Sequence, residues 1–354
     1  MTAPRILQVG YGAFGAQHAR AWSALEHESA LIIADPSPAS REAAAKAHPA
    51  ARIVADWREA LADCDALDIA APSDLHHAIA MAALEAGRDL FIEKPMALDA
   101  VQARAIAEAA AARRRVVQVG YLLRVHPAAQ ALREHVRISG VGTLSMIVAE
   151  FISLKRPRRD AGVVLNDAVH VLDLMCWIVG RLPDEVSATL VERLGRGFED
   201  IAAITLNWND GPVARVDAAC IVPGDHPDAF ARGAFSRKQL TITGDRGQAS
   251  VDFMIDALTT RKCLLMPQDD GGWMPLYESP QRRGFMPLSP IQGMAAQFAI
   301  FLDAIGRRVQ PEADADSGVA MALLADAIFE AARSKRTVVM PEAAAITSVP
   351  RDTR

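Results

Sequence analysis

Aromatic side chains make up only 5% of the 354 residues, and there are four cysteines. So few aromatics leave little with which to build a stacking surface for single-stranded nucleic acid. Cys64, Cys176, Cys220 and Cys263 are scattered and form no C-x-x-C pair. That spacing excludes a disulfide framework and a structural zinc site, so no metal is expected, and it reads as reduced, buried thiols in a cytoplasmic protein. Charge of neither sign dominates: 38 Lys+Arg stand against 43 Asp+Glu, a net of −5. A strong electrostatic attraction to DNA or RNA is thereby excluded. No stretch of about 18 residues is free of charges and breakers, so no membrane span is expected. The chain begins MTAPRILQVGYGAFG, which runs straight into a strand and a glycine turn. A charged-then-apolar leader is missing, and no signal peptide is expected.

What is present is a 51% apolar chain whose texture changes once. Up to about residue 120, short apolar strands (5–9, 31–34, 66–70, 90–92, 116–119) alternate with helical patterns (13–25, 38–47, 76–86, 98–113). Such alternation predicts a parallel sheet covered on both faces. Beyond Gly120 come a helix at 127–137 and longer strand-like runs at 143–154, 185–191, 201–208, 213–221, 239–242 and 249–253. A helix at 167–179 is embedded among them. Residues 267–293 read as a long loop, helices follow at 294–306 and 318–334, and the last ten residues read as frayed. The expected fold class is α/β. A Rossmann dinucleotide-binding domain over 1–121 is followed by an α+β domain over 122–354 with a large, mostly antiparallel open sheet.

Gly10-Tyr11-Gly12-Ala13-Phe14-Gly15 is a G-x-G-x-x-G motif. It follows a predicted strand and opens a predicted helix, the context that gives the motif its meaning. The first glycine permits the tight turn, the second lets backbone approach a pyrophosphate, and the third lets helix and strand pack closely. The second strand ends at Asp35. A carboxylate there accepts hydrogen bonds from ribose hydroxyls and repels a 2′-phosphate, so NAD is favoured over NADP. Arg41 reads as a surface helix residue.

Two further segments end strands of the same sheet: Ala71-Pro72-Ser73-Asp74-Leu75-His76 and Glu93-Lys94-Pro95. Ligands of open α/β sheets lie beyond such strand ends. Together with the glycine motif, with the segment from Gly120 and Tyr121 through Arg124 to Pro127, and with His170 followed by Asp173, Trp177 and Gly180, they make nearly the whole chain resemble the Gfo/Idh/MocA oxidoreductases. These are the relatives of glucose–fructose oxidoreductase and inositol dehydrogenase. The resemblance implies that Ala71, Pro72, His76, Glu93 and Lys94 lie along the cofactor. It also implies that Lys94 lies near the nicotinamide and the reacting hydroxyl, that His170 exchanges the hydroxyl proton, and that Tyr121 and Arg124 contact substrate. The chemistry fits these roles: alcohol oxidation removes a proton from oxygen and a hydride from carbon. Histidine titrates near neutrality, and a lysine cation steadies an alkoxide.

The sequence departs from the family pattern at Asn166, where many members carry aspartate, and Asp167 follows it. Both positions can share a helical face with His170. Asp167 is therefore either the catalytic carboxylate or a helix cap, and Asn166 can hydrogen-bond a sugar hydroxyl without supplying charge. Asp173 reads as structural.

The run Lys155-Arg156-Pro157-Arg158-Arg159-Asp160 is either a solvated loop or a clamp for substrate phosphates, with Arg156, Arg158 and Arg159 as the gripping side chains. From Arg158 to His170 the chain also resembles, more loosely, nucleotide-sugar 3-dehydrogenases. The function expected is an NAD-dependent oxidoreductase that moves a hydride between a secondary alcohol of a sugar or sugar nucleotide and nicotinamide. A free polyol, inositol or aldose is the alternative substrate. A non-catalytic dinucleotide-binding sensor is the alternative of another class. The open sheet needs a cover, and the resemblance implies a homodimer or homotetramer.

Overall fold

The computed structural model describes residues 3–341 apart from 159, 230 and 232. Arg159 of the suggested clamp and the expected fraying of the last ten residues lie outside the described residues. The chain divides into two compact units, the described parts of Met1–Leu122 with Ser289–Leu323 and of Leu123–Leu288 with Leu324–Arg354. This corrects the linear division after residue 121, because residues 289–323 return to the first unit. The cause is the apolar stripe of α7 (Pro290–Arg307), which buries Met294, Phe298 and Phe301 in the same core as Trp22 and Phe91. Phe298 stacks on Trp22 with ring centroids 4.1 Å apart.

In the first unit the order is β1 (Ile6–Val9), α1 (Gly15–Ala24), β2 (Leu31–Ala34), α2 (Pro38–Ala47), β3 (Arg52–Val54), β4 (Ala66–Ile69), α3 (His76–Glu85), β5 (Asp89–Ile92), α4 (Ala100–Arg113) and β6 (Val117–Val119). The strands form a parallel sheet in the order β3-β2-β1-β4-β5-β6. Every residue of β1, β2, β4 and β5 is buried, as expected where helices cover both faces. Chain direction across the sheet reverses between β1 and β4, and this opens a crevice at their carboxyl ends. The strand β3 had no sequence expectation. It is three residues long and only Val54 is buried, too little for a periodic pattern. Helix starts are capped by side chains: Ser37 accepts the Ser40 amide, and Asp99 accepts the Gln102 amide.

The second unit runs α5 (Pro127–Arg137), β7 (Leu144–Leu154), a π-helical turn (Val164–Ala168), α6 (Val169–Val179), β8 (Glu185–Val191), β9 (Ile201–Asn207), β10 (Val213–Ala219), β11 (His226–Pro227), β12 (Phe235–Gly244), β13 (Gly247–Asp252), β14 (Ala257–Pro267), β15 (Trp273–Tyr277) and β16 (Gln281–Gly284). After α8 (Ala315–Ser334), β17 (Val338–Val339) pairs with β8. The main strand path is β15-β14-β13-β12-β7-β10-β9-β8-β17. All described neighbours are antiparallel except β7 and β10. The expected loop at 267–293 is corrected: it holds β15, β16 and the start of α7. Residues of β15 and β16 are exposed on both faces, so they show no inside–outside alternation. No helix among the described residues is long and apolar enough to cross a membrane.

Candidate active site

The glycine cradle is built from backbone constraints that a side chain would break. Gly10 has φ +102° and donates its N–H to Ala34 O at 2.8 Å. A Cβ there would stand 2.7 Å from Ala70 O, and one on Gly15 would stand 2.2 Å from Gly10 O. At Gly12 a Cβ would meet open space, so this side of the turn before α1 has room for a phosphate group. Ala13 and Phe14 are exposed beside it. At the end of β2, Asp35 accepts the Tyr11 amide at 2.7 Å and the Ser37 amide at 2.8 Å. Those two bonds aim the carboxylate and leave acceptor capacity for a ribose. Arg41 donates to the carbonyls of Asp35 and Pro36. These residues fit a bound NAD.

The two strand-end motifs of this unit are tied together. The ring nitrogens of His76 lie 2.8 Å from Pro95 O and 2.9 Å from Ala71 O. His76 is buried, so its ring links the Ala71-Pro72 turn to the Glu93-Lys94-Pro95 turn through their backbone carbonyls. The Lys94–Pro95 peptide is cis. Glu93 Oε2 accepts the Lys94 amide at 3.1 Å. A Cβ on Gly120 would stand 2.5 Å from Glu93 Oε1, so glycine there makes room for the carboxylate. Tyr121 follows as a buried ring.

In the second unit, His170 stands beside one face of the sheet. Phe151, Ser153 and Lys155 alternate to the same side along β7 and its extension, and register places Lys238 and Ser236 of β12 opposite Phe151 and Ser153. The His170 ring lies 5.7 Å from the Phe151 ring, and Lys238 Nζ lies 5.1 Å over that ring. Lys238 pairs with Asp228 at 2.6 Å, and Ser236 donates to the same carboxylate at 2.6 Å.

Asn166 and Asp167 lie in the π-helical turn that precedes α6; such turns widen the helix and are frequent at functional sites. Asp167 accepts from the Lys155 ammonium and from Asn166 Nδ2, the latter at 3.0 Å. Both members of the Lys155–Asp167 pair are largely buried. Asp167 is therefore engaged by a lysine, and Asn166 is its hydrogen-bonding neighbour. Glu199 accepts the Val164 amide at 2.9 Å and holds the start of the turn.

Arg124 is buried, and its guanidinium binds Asp173 of α6 through two bonds, 2.9 and 2.6 Å long. Burial raises the Asp173 carboxyl, and the Arg124 charge opposes that rise. Arg156 and Arg158 are exposed. Arg158 binds Asp160 at 2.9 and 2.5 Å, and Arg196 ties the loop down through the Arg158 carbonyl.

Lys155, Phe151 and Lys238 were not singled out as site residues from the sequence. Lys155 stood there only as the start of a charged loop. Its one visible sign was its position directly after a long strand-like run.

Residues 5–121 match the family model described as oxidoreductase family, NAD-binding Rossmann fold. Residues 129–250 match the GFO/IDH/MocA C-terminal domain. The UDP-N-acetylglucosamine 3-dehydrogenase of Acidithiobacillus ferrooxidans is 31% identical over 251 residues, covering 71% of this chain and 74% of that protein. The inositol 2-dehydrogenase of Rhizobium meliloti is 24% identical over 341 residues, covering 93% and 97%. Levoglucosan dehydrogenase in complex with NADH and levoglucosan superposes with a TM-score of 0.79 at 22% identity, covering 95% of this chain and 99% of that one. With both of its parts matched and the glycine cradle, Asp35 and the Glu93-Lys94-Pro95 turn in place, the chain belongs to the Gfo/Idh/MocA family of NAD-binding oxidoreductases.

Proposed function

We propose that this protein oxidises a secondary alcohol of a sugar-type substrate with NAD, and that Lys94, His170 and Asp167 carry the chemistry. Bound NAD supplies the nicotinamide carbon that accepts the hydride. The Lys94 ammonium steadies the substrate oxygen as it becomes an alkoxide. His170 takes the hydroxyl proton. Asp167, held by Lys155, supplies the carboxylate that stands one position later than in many relatives. Asn166 offers a neutral amide to a substrate hydroxyl. Tyr121 and Arg124 complete the substrate-binding set, Arg124 through the helix that its bond to Asp173 holds in place. Ala71, Pro72, His76, Glu93 and Lys94 border the cofactor.

The observation that carries this reading is the place of Lys94. It follows β5, the neighbour of β4, at the carboxyl side of the sheet where the β1/β4 crevice opens. The test is NAD reduction within a single turnover, with UDP-sugars in one panel and free sugars and polyols in another. A single turnover detects reduction even if NADH stays bound. Activity unchanged in both Lys94→Met and His170→Ala would refute the assigned roles, and absence of reduction in both panels would favour the sensor reading.

A free sugar or polyol is the second reading of the substrate, and one observation favours it. Arg158 is already paired with Asp160, and Lys155 with Asp167. The cations of a phosphate clamp would be left in excess of their carboxylates, whereas matched pairs present donors and acceptors suited to hydroxyls.

We also propose a cytoplasmic homo-oligomer. The four cysteines are free thiols, which suits a reducing compartment. Trp273 is 65% exposed, Tyr277 75% and Met286 85%. Apolar groups of that size, grouped on β15 and beside β16, call for a cover. Sedimentation of Trp273→Asp should give a smaller particle than wild type.

A further inference from the structure

One buried cluster of the first unit leads from the core to the Lys94 turn. His18, in α1, is fully buried. Its Nδ1 lies 2.9 and 3.0 Å from the two oxygens of Asp68 on β4. Its Nε2 lies 3.3 Å from Glu93 Oε1, an ion pair set off the ideal hydrogen-bond line. Asp68 also accepts the Trp22 indole N–H at 2.8 Å. The rings of Phe14, Phe91 and Phe298 close around the imidazole.

Two carboxylates buried in an aromatic core are costly unless a cation stands between them. The charged groups that face His18 are Asp68 from β4 and Glu93 from the end of β5. The three add up to one negative charge, with the Lys94 ammonium following directly in the chain. Apolar packing would fill the same space at lower electrostatic cost, so the network holds something that packing alone does not.

We propose that His18 is a positioning residue for Lys94. Locked as the cation between Asp68 and Glu93, it fixes the Glu93 carboxylate against the Lys94 amide and sets the charge beside the Lys94 ammonium. The proposal rests on the reading of Lys94 as the group that steadies the reacting oxygen.

The consequence has two signs. Without the His18 charge, the buried cluster next to Lys94 in the chain carries two negative charges and holds the lysine's proton more firmly. Without the Glu93 charge, the proton is held less firmly. Loss of packing has no reason to move the two variants in opposite directions. On the other side of Lys94, His76 contacts the Pro95 carbonyl and is unchanged in either variant.

The experiment is competitive labelling of the full-length, NAD-loaded protein with acetic anhydride across pH. The Lys94 peptide is read by mass spectrometry. The labelling midpoint should rise in His18→Asn and fall in Glu93→Gln, each by about half a pH unit or more. NADH affinity, followed by fluorescence, should stay unchanged in His18→Asn, because the glycine cradle and Asp35 are untouched. Any other pattern of midpoints overturns the proposal. Should His18→Asn fail to fold, Glu93→Gln decides alone. It keeps the His18–Asp68 pair and an amide oxygen for the Lys94 N–H, so an unshifted midpoint there overturns the proposal. Turnover by Lys94→Met is a separate readout. Full activity would remove Lys94 from the chemistry and leave the labelling result standing.

Discussion

Arg124 and Asp173 are joined by two hydrogen bonds, Nε to Oδ2 at 2.9 Å and Nη2 to Oδ1 at 2.6 Å, with both side chains almost wholly out of solvent. The pair ties the start of the second unit to the helix that carries His170. Trp177, a turn further along α6, lies under two guanidiniums: Arg124 at 5.7 Å and Arg133 at 3.8 Å from its ring.

Arg124→Ala would leave the Asp173 carboxylate buried without its cation. It should destabilise the protein by about 3–5 kcal/mol. Arg124→Met with Asp173→Leu should recover most of that loss, because the pair is removed together. Urea unfolding at neutral pH checks both. A role for Arg124 in substrate contact alone would instead leave the unfolding midpoint of Arg124→Ala where it was.

The Lys155–Asp167 pair leads to a kinetic prediction. Lys155→Met frees Asp167 from its partner inside the π-helical turn and leaves a largely buried carboxylate without its cation, so turnover is compared well below the unfolding temperature of each variant. Turnover should fall on the order of tenfold or more. Asp167→Asn should fall comparably, and the double variant should be no worse than the weaker single one, because contacting residues do not add. Additive losses would show that the two act separately.

How much of this was legible in the sequence depended on whether a residue's role was local. The cradle was readable because its requirements are short-range: Gly10 must adopt positive φ, and Gly15 must clear Gly10 O. The alternation of buried strands and helices in the first unit was readable for the same reason. The return of 289–323 to the first unit was not, because Phe298 meets Trp22 across most of the chain's length and no local pattern records the partner. Likewise β15 is apolar at every position and β16, Gln281-Arg282-Arg283-Gly284, has no apolar side chain, so neither shows the alternation that marks a strand. Lys155 and His18 escaped because each looks ordinary beside its neighbours. Only the fold brings one to Asp167 and the other between Asp68 and Glu93.

Asp35 allows a test of cofactor choice. Its carboxylate holds the Tyr11 amide and stands directly after β2, beside the glycine turn. Asp35→Ala should therefore both remove ribose hydrogen bonds and loosen the glycine turn. The KM for NAD should rise about tenfold or more, as expected for loss of a charge-assisted bond. NADP should gain relative to NAD because the repelling charge is gone. Steady-state kinetics with each dinucleotide reads both effects.

The buried His18 predicts how stability depends on pH. Burial alone would drive the proton off the ring, but the Asp68 and Glu93 charges outweigh it and hold the imidazole up to about 10, from an ordinary value of 6.5. The folded protein therefore keeps a proton that the unfolded chain releases. The stabilisation is fully present below about pH 6.5 and drains away as the pH rises toward about 10. His48 and His126 are held below the ordinary value by burial, so their contributions change on the acid side of pH 6.5. Burial also raises the Cys64, Cys176 and Cys220 thiols, which add a loss of the same sign above about pH 8 in wild type and variant alike. Burial raises the Tyr11 phenol above its usual value of 10, which places its effect at the alkaline end. Between pH 7 and 8 the unfolding free energy of wild type should fall by about 1 kcal/mol, approaching one proton's slope. His18→Asn, which has no proton to lose, should show a flatter line from a lower starting point. Urea unfolding at pH 7, 8 and 9.5 measures both slopes. Parallel lines for the two proteins would mean that His18 is neutral in the folded state and that another group neutralises the buried carboxylates.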